Sequence, residues 1–340
     1  MGFLAYAAKR AVSALFSFFI ITIIAFVLVR VVPGDPALLM VGSAVDPQEW
    51  FKEYQAMRKL LGLDRPIYEQ YLIWLRDIVT GNFGTFYRFN APVGPLILER
   101  LPATLEIVIP TVILALLIGI ILSTPKFFPR IAWADKVASA FSFVGMSISY
   151  FIWGIFFIII FGVTLKILPI SGRIDMGIAL PHITGFVIID SLLTGKLEAI
   201  GSFFKHLIMP VAALTLYEIT LIHRINRSSM LSVMQEDYIL MDRAKGLPQR
   251  HLVFVRGLRN ALIPTLTLLG VQFTVLLSGT VIIEKMFAWP GIGKLLVSAV
   301  TYRDLPLIQG IIATYCIIVI VTNFIIDALY GKINPRIRYI

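Results

Sequence analysis

The sequence is short of charge. Asp, Glu, Lys and Arg make up 15% of its 340 residues, against about 25% in soluble domains. With 58% hydrophobic residues and a mean hydropathy of +0.86, it has too little polar surface to cover a soluble core. This excludes an ordinary soluble protein and leaves an integral membrane protein. The single cysteine, Cys316, excludes an intrachain disulfide. The four histidines, His182, His206, His223 and His251, are scattered without metal-ligand spacing, so no metal site is expected. The charge that is present leans one way, to a net +10. In a soluble protein that excess would suggest nucleic acid. In a membrane chain it marks the loops retained in the cytoplasm, and no nucleic-acid partner is expected.

A nucleotide site is also missing. The nearest pattern is GIGK, Gly291 to Lys294. A P-loop needs a glycine five residues before the Gly-Lys pair and Ser or Thr after it. Ala288 and Leu295 stand there instead. The segment reads as an external turn with two flexible glycines, so energy for any transport must come from another chain. Clustered catalytic acids and His/Asp constellations are lacking, and no enzyme activity is expected.

Long apolar runs are abundant. A helix crossing about 30 Å of hydrocarbon needs about 20 mostly apolar residues. Six runs qualify: residues 11–29, 103–123, a run within 136–166, 206–223, 261–283 and 305–326. The third is too long for one straight crossing. It must tilt, kink or end early, and Gly145 and Gly154 are the expected places. A weaker run, ALPHITGFVIIDSLL, reads as interfacial or re-entrant. Lys and Arg then set the orientation. Lys9, Arg10, Lys126, Arg130, Lys136, Arg224, Arg227, Lys332, Arg336 and Arg338 fall on one side, which places both termini in the cytoplasm. The first external segment, residues 31–100, is charge-balanced, with seven Lys/Arg against eight Asp/Glu. Its Tyr68, Tyr71, Trp74, Phe83 and Tyr87 suit either contact with a partner or, for most of them, the region's own core.

One charged stretch lies between the fourth and fifth runs, on the cytoplasmic side. It is DYILMDRAKGLPQRHLVFVRGLRNALIP, Asp237 to Pro264. Helical spacing predicts a helix from Ser228 or Ser229 to about Lys245, with Tyr238, Ile239, Met241 and Ala244 clustered. Gly246 suits a left-handed cap. Leu247-Pro248 starts a second short helix before the chain re-enters the membrane. The cations alone could be a solvated loop. Leu247, Leu252, Val253 and Phe254 argue instead for a docking surface.

This stretch resembles the cytoplasmic EAA loop of ABC importer permeases, through Gly246 and the later Ile263-Pro264. RAKGL…LRNALIP resembles the dipeptide/oligopeptide/nickel class, and in particular its B-type subunit. RVVPGDPA, GNFGTFYR, ILERLPATLEI, LPISGR, RSSML, FAWPGIGKLL and NPRIRY agree with it in order over roughly residues 5–340. The class's Glu-Ala-Ala, however, is replaced by Leu240, Met241 and Asp242.

The resemblance implies an all-α membrane fold, six transmembrane helices of type I importer (MetI-like) architecture with a cytoplasmic coupling helix. It implies residues 1–32 as N-terminal segment and first span, 33–100 as the external region facing a binding protein, and 101–340 as a five-helix core with its coupling loop at about 228–262. Ala244, Gly246, Leu247, Pro248, Leu252 and Pro264 would form the ATPase-coupling loop. The implied partners are a homologous C-type permease in a heterodimer, two ATP-binding subunits, an extracytoplasmic substrate-binding protein and membrane lipid. ATP and Mg would be bound by partner subunits, with no cofactor in this chain. The implied location is the cytoplasmic membrane, and the solute would be a peptide or a related oligosaccharide or nickel complex. Glu218, inside the fourth run, belongs either to the translocation path or to a packing interface with the second permease. Glu106, near a span end, carries little functional weight. The competing class is a self-contained channel or ion-coupled transporter, which would show internal repeats, filter loops or paired intramembrane charges.

Overall fold

The structure is a computed structural model that describes residues 46–86, 91–128 and 131–333, with scattered positions among 16–41. Most of the first expected span, the RVVPGDPA segment apart from Ala37, Tyr87 and the NPRIRY segment lie outside the described residues.

The described chain is mostly helical, with one two-stranded hairpin and an irregular segment at residues 165–186. Two amphipathic helices come first, α1 (Pro47–Leu60) and α2 (Ile67–Val79). The sequence starts α1 firmly. Asp46 accepts a hydrogen bond from the Gln48 N–H, Pro47 opens the first turn, and Arg58 and Lys59 occupy the last, where cations suit the helix dipole. The antiparallel strands β1 (Thr85–Phe86) and β2 (Ala91–Pro92) follow, with Thr85 opposite Pro92. α3 (Val93–Ser123) then starts inside the region expected to be wholly external.

Among the described residues, four helical runs are long and apolar enough to cross a membrane. They are α3 with its following turn (Val93–Phe127), α7 (Glu198–Val233), α9 (Gln249–Met286) and α11 (Leu305–Ile333, through its Leu305–Ile326 portion). They correspond to the second, fourth, fifth and sixth expected spans. Between α3 and α7 lie α4 (Ala132–Ser147) and α5 (Tyr150–Phe157), the latter continued by π-helical turns to Thr164. These two are the third expected span, bent by 97°. The break falls at Ile148 and Ser149, both extended, rather than at Gly145 or Gly154. The two glycines serve close packing instead. A Cβ at Gly145 would meet the Thr220 methyl at 2.5 Å, and one at Gly154 would meet the Met286 methyl at 2.1 Å. A short helix, α6 (Val187–Thr194), lies in the weaker apolar run, and α10 (Ile292–Thr301) follows α9.

α7 is the hub, packed against α3, α4, α5 and α9. Small residues set the approach: a Cβ at Gly119 of α3 would lie 2.6 Å from the Ile222 side chain of α7. Its 36 residues rise roughly 54 Å, well beyond the hydrocarbon thickness, so its last turns stand clear of the apolar layer. Pro102, Pro110, Pro210 and Pro264 all lie inside these long helices. In an apolar bundle neighbouring helices can re-satisfy the carbonyl that each proline leaves free.

The core divides by height. One cluster, with Met230, Ile239 and Leu252, sits at the end bearing residues 234–257, called here the loop end. Ala115, Ile219 and Leu269 fill the middle. The largest cluster, around Phe203, Phe287 and Trp289, lies toward the far end. There Phe86 of the hairpin also packs with Ile292 and Leu307. The aromatics of the first region mostly turn inward. Tyr71 and Trp74 each lie 5.5 Å from the Phe26 ring, and Phe83 packs beside the hairpin cluster. Tyr68 is exposed.

Candidate functional site

At the loop end, α7 stops at Val233 and a turn at Met234–Glu236 leads into α8 (Asp237–Ala244). The single helix expected from Ser228 to Lys245 is therefore two. Met234, buried against Met230, Ile239 and Leu252, anchors the corner between them.

α8 ends as its sequence dictates. Gly246 takes φ +79°, the left-handed region that favours glycine. Its N–H donates to the Arg243 carbonyl at 3.0 Å and the Leu247 N–H donates to the Asp242 carbonyl at 3.3 Å. This pair of bonds is a Schellman cap. Pro248 is extended and precedes the first turn of α9, which begins at Gln249. No separate second short helix forms. Gln249–His251, π-helical turns at Leu252–Gly257 and the long span are one continuous helical run. Pro264 lies inside this run rather than at a re-entry point, and its missing N–H leaves the Asn260 carbonyl without its helical donor.

The proposed docking residues separate into two groups. Ile239 (0% exposed), Leu252 (1%) and Val253 are buried, packed on Met230 and Met234 with Phe127, Phe128 and Leu247 beside them. Leu252 thus holds the loop in place and does not face outward. Leu240, Met241 (59% exposed), Tyr238, Phe254 and Val255 are open, together with Ala244, Gly246 and Pro248. Polar ties brace this platform. Asp242, where the resemblance breaks, pairs with Arg256 at 3.1 Å and so joins α8 to α9. Asn260 Nδ2 donates to the Tyr238 hydroxyl at 2.7 Å, and Gln249 Nε2 donates to the Phe127 carbonyl at 3.0 Å.

Two polar groups tie the helices together between the platform and the middle of the bundle. Arg227 grips Asp135 through two bonds, at 2.7 and 2.9 Å, tying α7 to α4. Asn226 donates to Ser123 Oγ at 2.5 Å and accepts from Thr265 Oγ1 at 3.2 Å, joining α3, α7 and α9. Glu218, a little over two turns from Asn226 on α7, is 2% exposed. Among the described residues it has no hydrogen-bond or ion-pair partner.

The far end holds three carboxylates whose roles sequence reasoning missed. Glu284 is fully buried and lies beneath GIGK. It accepts from Thr104 Oγ1 at 2.7 Å and from the Lys294 N–H at 2.9 Å. Thr104 in turn accepts the Ile292 N–H at 2.8 Å, and Trp289 Nε1 donates to the Ala103 carbonyl at 2.8 Å. The α10 N-terminus is an anion site filled by the chain's own carboxylate. The glycines of GIGK are therefore not there for flexibility. A Cβ at Gly291 would meet the Glu284 carboxylate at 2.4 Å, and one at Gly293 would meet the Val281 backbone at 2.7 Å. The usable signal was a glutamate at the end of an apolar run, seven residues before a Gly-x-Gly helix start.

Glu106 has the same character. Arg173 Nε donates to it at 2.7 Å and the Val187 N–H at 2.7 Å, while Arg173 also reaches the Gly185 carbonyl at 2.6 Å. Asp190 collects the Ile183, Thr184 and Gly185 N–H groups and the Thr184 hydroxyl. Burial works to raise the Asp190 pKa, but these four donors hold it below the usual aspartate value. Together they fasten the irregular segment between α5 and α6 onto the top of α3.

A long-helix bundle with a braced loop at one end and a stapled cap at the other is matched by known proteins. The family described as "Binding-protein-dependent transport system inner membrane component" matches residues 115–339, and "Binding-prot-dependent transport system membrane comp, N-term" matches residues 3–108. The chain belongs to this family. The permease is 39% identical over 337 residues to the di/tripeptide transport system permease protein DppB of Pseudomonas aeruginosa (strain UCBPP-PA14), covering 99% of each chain. It is 34% identical over 323 residues to the dipeptide transport system permease protein DppB of Escherichia coli (strain K12), covering 94% of each. It is 35% identical to the oligopeptide transport system permease protein AppB of Bacillus subtilis (strain 168), covering 98% of this permease and 99% of that protein. A solved structure titled "Crystal structure of an amino acid ABC transporter with histidines" covers 70% of the permease and 94% of its own chain, at 18% identity and a TM-score of 0.47. The permease is thus a multi-pass membrane subunit of a binding-protein-dependent ABC importer.

Proposed function

We propose that this permease forms half of the translocation pathway of an ATP-driven importer of small peptides, pairing with a homologous C-type permease. Two ATP-binding subunits hold ATP and Mg, and one docks on the α8 platform. An extracytoplasmic binding protein delivers the peptide at the far end. The loop end lies in the cytoplasm, in keeping with its Lys126, Arg224, Arg227, Arg243, Lys245 and Arg250. The names of the relatives support peptide as the solute class.

The observation that carries the coupling role is the division within the loop. Buried Ile239, Leu252 and Val253 fix α8, and this leaves Leu240 and Met241 exposed on a rigid base. An apolar helix face so held suits insertion into a groove on a partner. When ATP closes its two subunits, a helix held this firmly passes the movement to α7 and α9 through Met234 and the Asp242–Arg256 pair. The test is reconstitution of the chain with the subunits that copurify with it. Uptake of a labelled dipeptide should require ATP and the binding protein together; uptake without either one would refute the reading.

A further inference from the structure

Where α11 begins, it meets α1 and α2 and encloses a cavity of about 470 Å³. That is within the usual range for a small-molecule site, roughly 300–1,000 Å³. Trp74, Ile73, Phe83 and Pro306 make part of its wall apolar. Lys59, Arg65 and Arg76 also line it, with Asp77 as the acid. Arg76 is already paired with Asp77 at 3.0 Å. Among the described residues, neither Lys59 nor Arg65 has an acid partner.

Two amides lining the same cavity are incomplete. Gln309 is 9% exposed, and its Nε2 is buried with no acceptor. Gln70 donates its Nε2 to the Arg65 carbonyl at 2.7 Å, which fixes the orientation of its amide. The Gln70 Oε1 is then buried with no donor. Buried polar atoms left unpaired are uncommon in folded proteins, and each asks for a partner.

The missing partners define a ligand. It must offer an acceptor to Gln309, a donor to Gln70, a negative charge to Lys59 and Arg65, and apolar groups to the wall. A peptide unit brings both a C=O and an N–H, and a free C-terminus brings the carboxylate. Chloride or sulfate would leave Gln70 unanswered, and any inorganic anion would leave the apolar wall unused. We propose that this cavity binds small peptides by their free terminal carboxylate and adjoining peptide bond. The proposal rests on the reading of the chain as a peptide importer subunit and gives the chain its own substrate site at the far end.

The assembled transporter, without its binding protein, is titrated with dialanine, dialanine amide and acetate in a calorimeter. Dialanine should bind, and its amide should bind about tenfold more weakly because the charge-assisted bonds to Arg65 are lost. Acetate should not displace dialanine at equal concentration. Arg65→Gln should bring dialanine down to the level of the amide, and Gln309→Leu should weaken both. Arg65 and Lys59 are exposed, so Arg65→Gln and Lys59→Gln keep the test usable if Gln309→Leu misfolds. The site is overturned if wild type does not bind dialanine, if the amide binds equally, if acetate competes equally, or if Arg65→Gln leaves affinity unchanged. ATP-driven uptake of dialanine with the binding protein present is measured alongside. Uptake without binding at this cavity overturns the site alone, whereas failure to take up any peptide overturns the importer reading.

Discussion

Glu106 and Arg173 show what a buried charge does here. Both side chains are largely buried and each also bonds to backbone. Removing one partner leaves a charge uncompensated, and such changes cost about 3–5 kcal/mol. Arg173→Met should therefore lower the thermal unfolding midpoint sharply, and Glu106→Gln added to it should restore much of the loss. Independent, additive losses in that double-mutant cycle would show that the pair is not coupled. None of this was legible in the sequence, where Glu106 reads as a cheap carboxylate near a span end. Its partner is 67 residues away, on a segment with no periodic signal. Glu284 was hidden for a related reason: its donors are the Lys294 backbone N–H, which leaves no trace in residue type, and the hydroxyl of Thr104, 180 residues away. Glu218 remains a buried carboxylate inside the bundle, and nothing in the structure explains it.

At the scale of elements, the helices were legible because apolar runs of about 20 residues have few alternatives in a membrane chain. Their joints were less so. The third run breaks at Ile148–Ser149, two residues with no breaker chemistry. Its glycines instead receive Thr220 and Met286 from neighbouring helices. The Schellman cap at Gly246 was legible, since a left-handed cap is a property of the local chain. A Cβ at Gly246 would meet nothing within 4 Å, so a substitution acts through backbone conformation alone. Valine there should cost roughly 1–2 kcal/mol, while asparagine, which visits this region more readily, should cost less. Gly246→Val should insert normally yet lose peptide uptake per ATP hydrolysed, with Gly246→Asn close to wild type. Equal ratios in all three proteins would separate the cap from coupling. The Asp242–Arg256 pair is a weaker brace. Arg256 is half exposed, so Asp242→Ala should change stability by no more than about 1 kcal/mol.

Across the whole molecule, the two ends are built differently for different tasks. The far end is closed by carboxylates that cap backbone: Glu284 under α10, Asp190 of α6 holding the turn before that helix, Glu106 over the segment joining α5 and α6. The loop end is joined by side-chain pairs between helices: Arg227 with Asp135, Asn226 with Ser123 and Thr265, Asp242 with Arg256. These pairs tie α3, α4, α7, α8 and α9 to one another. Family membership was legible because many short fragments agreed in order, although each was weak alone. What the fragments could not show was which loop residues face out, since Leu252 and Met241 are equally apolar and only the packing separates them.

The most direct measurement follows from that separation. Leu240→Asp with Met241→Asp places two charges on the exposed face of α8 and leaves Ile239, Leu252 and Val253 untouched. The doubly substituted chain is purified from membranes, its copurifying subunits are counted, and peptide uptake is followed in proteoliposomes. The docking account predicts normal insertion and retention of the second permease, with loss of the ATP-binding subunit and of uptake. Wild-type amounts of the ATP-binding subunit together with wild-type uptake would contradict it.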